Sequence, residues 1–133
     1  MHQCDFSCMI STEMFERFVM PDLDRCIKRM DHAFYHLDGK GAIRHLDMLL
    51  SLETLRGIQW VPGAGRPQAS EWMSLLKRIK DGGKLCQVSV DPNGARDIVR
   101  ELGGRGFCFI ISSLPEEVDD FLAVLAAEDA DAV

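Results

Sequence analysis

The 133-residue chain has no CxxC pair, and its five cysteines (Cys4, Cys8, Cys26, Cys86, Cys108) are odd in number. A disulfide framework or a Cys-rich zinc module is therefore not expected, and reduced thiols make the cytoplasm the default compartment. Positive charge is not in excess: 15 basic residues face 21 acidic ones, for a net charge of −6. General affinity for nucleic acid or an anionic membrane surface needs a basic patch, so neither partner is expected. Apolar runs such as Phe107 to Ile111 are too short to span a bilayer. The first residues, Met1 to Asp5, show no basic segment leading into an apolar one and do not read as a signal peptide. No low-complexity linker divides the chain, so one α/β domain over residues 1–133 is expected, with an acidic, small-residue tail at 128–133 fraying from it.

What is present is a repeated strand-then-helix pattern. Candidate strands begin near Ala33, Gly57, Leu85 and Gly106, each an apolar run bounded by Gly, Pro or Asp. Their spacing is about that of one βα unit of a barrel or doubly wound sheet. Between them, apolar residues recur with helical period: Ile43, Leu46, Leu49 and Leu50; Trp72, Leu75, Leu76 and Ile79; Ala95, Ile98, Val99 and Leu102; then Val118, Phe121, Leu122 and Leu125. Ser70 before Glu71 reads as an N-cap, Asp91-Pro92 as a cap followed by a first-turn proline, and Ser113 with Glu116 as a capping box. Gly82-Gly83 and Gly103-Gly104 read as helix stops.

At the front, Ser11 begins a helix carrying Phe15, Phe18, Leu23, Ile27 and Met30, which Pro21 should kink or split. Cys4 to Met9 reads as the stub of a further strand. Strands joined through helices imply a parallel sheet with right-handed crossovers. Four or five strands cannot close a filled barrel. The sheet either stays open with helices on both faces or is half of a (βα)8 barrel completed by another copy or partner. Either way, functional residues belong at the carboxyl ends of the strands.

There stands the run Tyr35-His36-Leu37-Asp38-Gly39. Side chains alternate along a strand, so His36 and Asp38 share one face at its exit. Imidazole and carboxylate together suit metal binding or proton transfer; the other reading is a structural His beside an Asp that caps the next helix. At the next exit, Gln59 and Trp60 are placed to line a pocket, and Gly63 and Gly65 let backbone amides approach an anion, with Arg66 close by; the other reading is a tight turn with Trp60 packed beneath it. Tyr35 joins the pocket set. Cys108 stands between phenylalanines and could equally be a small buried hydrophobe. His45 reads as a solvated helix residue, and His32 carries no expected chemistry.

Tyr35-His36-Leu37-Asp38-Gly39, His45-Leu46-Asp47 and Gly57-Ile58-Gln59-Trp60-Val61-Pro62-Gly63-Ala64-Gly65 together resemble the uroporphyrinogen decarboxylase-like superfamily, and more closely its methyltransferase-like branch. Cys4-Asp5-Phe6-Ser7 and Met14-Phe15 fit the same branch. The likeness covers nearly the whole chain but only the C-terminal portion of a family member, which is a complete (βα)8 barrel. It implies zinc-assisted methyl transfer between a corrinoid and a thiol. His36, Asp38 and Cys108 would be the metal ligands, with Asp38 where the methyltransferases carry a cysteine. That carboxylate makes the site harder and less thiophilic. The decarboxylase Gly-His-Gly is replaced by Phe107-Cys108-Phe109, so decarboxylation by this chain alone is not expected. The alternative is a non-catalytic, corrinoid-binding or accessory subunit, or a truncated homologue, that completes a barrel with another chain. Both versions imply a homo-oligomer or a second chain, and a corrinoid protein as a possible partner.

Overall fold

The computed structural model describes residues 1–111 and 118–131. It is an α/β fold with one five-stranded sheet: β1 (His2–Gln3), β2 (Ala33–Asp38), β3 (Leu55–Val61), β4 (Leu85–Ser89) and β5 (Phe107–Ile110). The strands pair in chain order, β1-β2-β3-β4-β5, and every pairing is parallel. The helical segments are α1 (Thr12–Met14), α2 (Met20–Ile27), α3 (Gly39–Ala42), α4 (Leu46–Leu50), α5 (Met73–Asp81), α6 (Pro92–Leu102) and α7 (Val118–Asp131).

The topology decides which of the two expected architectures applies. Strands added one after another in a single direction, each through a right-handed crossover, send every connecting helix to the same face. A doubly wound sheet instead reverses its strand order once. This sheet does not reverse, so the arrangement is that of a half (βα)8 barrel. Burial agrees. Tyr35, Ile58 and Cys86 form one register row, Leu37, Trp60 and Val88 the next, and all six are buried under the helices. The alternating residues face away, and Leu85 and Ile110 among them stay 49% and 44% exposed.

The helices form where the apolar period placed them. Leu46, Leu49, Leu75, Leu76, Ile79, Ala95, Ile98 and Val99 all enter the core. Asp91 caps α6, its Oδ1 accepting from the Gly94 amide at 2.7 Å. Gly83 and Gly103 take φ of 73° just past α5 and α6, a conformation glycine adopts without penalty. Ser11 begins the leading helix as expected, its hydroxyl accepting from the Met14 amide at 3.2 Å. The leading helix is divided ahead of Pro21: the chain widens into a π-turn over Phe15–Val19, and α2 restarts with the proline in its first turn. A π-turn is a known way to place an irregularity inside a continuous helix.

Two local expectations are corrected. The front stub is not a strand over Cys4–Met9. The strand is His2–Gln3, and tight turns follow, with Ser7 N–H donating to the Cys4 carbonyl and Met9 N–H to that of Phe6. Ser70 is not an N-cap. It is buried inside a 3-10 turn over Ala69–Trp72, close against Gly94 of α6, where a Cβ would stand 2.8 Å from its hydroxyl. Of the apolar residues carried at the front, Phe18 and Met30 are 60% and 39% exposed. α7 runs to Asp131, into the acidic stretch at the end of the chain, through a segment rich in alanine and leucine, both strong helix formers. The Ser113/Glu116 capping box and residues 132–133 lie outside the described residues.

Candidate functional site

The face of the sheet turned away from the helices is where polar chemistry collects. Register puts Gln3, His36, Gln59, Gln87 and Cys108 in one row across all five strands. In a parallel sheet, register partners project to the same side, so the five form a polar band. Apolar residues flank it. Phe34, Gly57 and Leu85 make the preceding row, and Val61 and Ile110 lie beyond, paired with Asp38 and Ser89. A depression of about 330 Å³ on this face is bounded by Met1, His32, Phe34, Gln87 and Cys108. His32, which carried no expected chemistry, is thus on its rim.

Within the band, His36 Nδ1 and Gln59 Oε1 are 2.5 Å apart. An amide oxygen can only accept, so this contact requires the proton on Nδ1. The Nε2 atom finds no hydrogen-bond partner among the described residues. Asp38 occupies the cap position of α3, but its side chain makes no capping hydrogen bond, and the carboxylate is exposed at the carboxyl end of β2. Its helix-capping reading therefore does not hold. Neither does the buried reading of Cys108, which is an exposed free thiol.

His36, Asp38 and Cys108 share the uncovered face, yet the structure does not bring the three together. Cys108 sits on β5 and His36 on β2, three strand spacings apart, roughly 14 Å, with Gln59 and Gln87 between them. Zinc holds its N, O and S donors within ~2.0–2.3 Å. No group of three His, Cys, Asp or Glu side chains among the described residues could hold a metal ion. The set does not fit a zinc ion within one chain.

The pocket residues divide. Gln59 is on the uncovered face, as placed from the sequence. Trp60 is on the opposite face, fully buried, stacked edge-on against Trp72 at 5.2 Å. The alternation that turns Gln59 outward turns Trp60 inward, so both could not line one pocket. Tyr35 is likewise in the core, 1% exposed, its ring edge-on to Phe15. Burial pushes its hydroxyl up to about 12. It borders a separate hollow of about 240 Å³ beside β1, shared with Phe6 and Phe18. Gly63 and Gly65 have φ of 95° and 71°, which accounts for them as turn residues, and the Arg66 amide donates to the Gly63 carbonyl at 3.3 Å. A Cβ on Gly63 would stand 3.9 Å from Gly39 Cα, so the loops after β2 and β3 touch at the carboxyl edge.

Two residues were missed or misread by the sequence reading, His45 having been expected to be solvated. Gln87 is one; aligning the strand centres shows a polar residue at the same level in β2, β3 and β4, and that alignment was the available signal. His45 is the other. It is fully buried, its Nε2 donates to the Ser7 carbonyl at 2.9 Å, and its ring stacks on Phe15 at 4.1 Å. Burial holds the imidazole below its ordinary range. Its role is to tie the front turn to the helical layer.

Among the described residues, no helix is long and apolar enough to cross a membrane. No family model matches the chain, and neither does any curated protein or solved structure.

Proposed function

We propose that the chain is a decarboxylase-like half-barrel module, not catalytic alone, that works by joining its uncovered sheet face and edges to another chain, most simply a second copy. The observation that carries this is the bare face itself: all crossovers go one way, and large apolar side chains such as Leu85 and Ile110 are left exposed beside a polar band. Two open sheet edges and one apolar face are features that folded proteins cover. The sequence resemblance supplies the chemical class, a corrinoid-dependent methyltransferase relative, with the corrinoid carried by a partner protein. The separation of His36 from Cys108 argues against a complete zinc site in one chain, so the reading includes no zinc-dependent step. The test is methyl transfer from methylcobalamin to a small thiol by the isolated chain, with its metal content measured in parallel. The proposal expects no turnover and no stoichiometric zinc. Turnover by a monomer carrying one zinc per chain would overturn it.

A further inference from the structure

We propose that Gln59 is a positioning residue that fixes His36 in the Nδ1–H tautomer, so that Nε2 presents its lone pair on the uncovered face. His36 then acts there as a preset acceptor for a ligand group that donates a hydrogen bond or a proton. The inference rests on the uncovered face being the working one, but its evidence is local.

The two side chains are register partners on adjacent strands, so the pleat alone brings their Cβ atoms near each other and aims them to the same side. The 2.5 Å contact joins the ring nitrogen nearer the backbone to an atom that can only accept. A neutral histidine that donates from one ring nitrogen has the other unprotonated, which is how proteins commonly orient imidazole ligands and bases. Nε2 meets no competing donor among the described residues. Phe34 stands two residues before His36 on the same face, giving a ligand an apolar wall beside the acceptor.

His45 makes the contrast within one molecule. It donates from Nε2 to the Ser7 carbonyl, which requires the opposite tautomer. The chain therefore holds two histidines locked in opposite senses, one buried for structure and one on the open face.

The experiment is a long-range proton–nitrogen correlation spectrum of histidine rings in the ¹⁵N-labelled full chain, at about pH 8, above the ordinary imidazole range. The four histidines are assigned by single substitutions. The native chain should show a protonated Nδ1 and a bare, pyridine-type Nε2 for His36, and the reverse for His45. In Gln59→Leu the His36 pattern should be lost, with the proton moving toward Nε2, while the His45 signals stay in place and report an intact fold. In Gln59→Glu, whose carboxylate can only accept, Nδ1 should stay protonated. A native His36 protonated at Nε2 alone, or a Gln59→Leu variant that keeps the Nδ1–H pattern, overturns the proposal. Neither result depends on whether the chain assembles, so failure here is separable from failure of the half-barrel reading.

Discussion

The ring of Phe34 lies over Gly57 of the neighbouring strand, filling the place a side chain there would take. Gly57→Ala puts a methyl into the ring atoms and must displace them. Because those atoms are the outer end of a half-exposed ring, the expected cost is at the low end of overpacking, about 1 kcal/mol, read by urea unfolding. Because the two residues share the space, Phe34→Ala combined with Gly57→Ala should cost less than the sum of the single changes. Additive costs would show that the ring does not need that space.

Gln59 and Trp60 are adjacent in sequence and opposite in consequence. Trp60 fills the core, so Trp60→Ala should cost about 3–5 kcal/mol. Gln59→Ala removes one hydrogen bond on a half-exposed face and should cost no more than about 1 kcal/mol. Denaturation of both variants checks this. Equal costs would mean the strand's facing is misassigned.

Buried His45 links stability to pH. Its folded pKa is depressed, so the unfolded chain binds the proton more readily and protonation favours unfolding. Its contribution is full above about pH 6.5, the ordinary imidazole value, and is lost as pH falls below that toward the folded value. His45→Gln keeps a donor for the Ser7 carbonyl but cannot titrate. The variant should be less stable at neutral pH by about 1–3 kcal/mol and should fall less steeply between about pH 7 and 5. Thermal melts across that range measure the slope.

Asp91 joins two elements: its Oδ1 caps α6 and its Oδ2 accepts from Gln68 Nε2 at 3.3 Å. Asp91→Ala should cost about 0.5–2 kcal/mol and Asp91→Asn clearly less, since asparagine caps nearly as well. Chemical denaturation of the pair tests whether the cap or the charge matters.

Most of the fold was legible because hydrophobic period and turn chemistry agreed. The runs at Ala33, Leu85 and Phe107 became strands, and Asp91-Pro92 and Gly103 punctuated α6 as their chemistry requires. Sidedness was harder to read. Tyr35 and Trp60 are large aromatics in β2 and β3, and the register shows that the pleat turns them inward while His36 and Gln59 turn outward. His45 looked solvated because its partner is a backbone carbonyl 38 residues earlier, which no local pattern encodes. The distance between His36 and Cys108 was beyond reach for the same reason. It follows from a strand order that never reverses, a property of the whole sheet.

The central claim is that the uncovered face is covered when the protein works. Sedimentation velocity at micromolar concentration tests it most directly, comparing the native chain with Leu85→Lys and Ile110→Lys. Both changes place a charge on the bare face without touching the core. The half-barrel account predicts a dimer or larger oligomer for the native chain and dissociation to monomer in the variants. A native chain that sediments as a stable monomer would contradict it, and so would an oligomer indifferent to both charges.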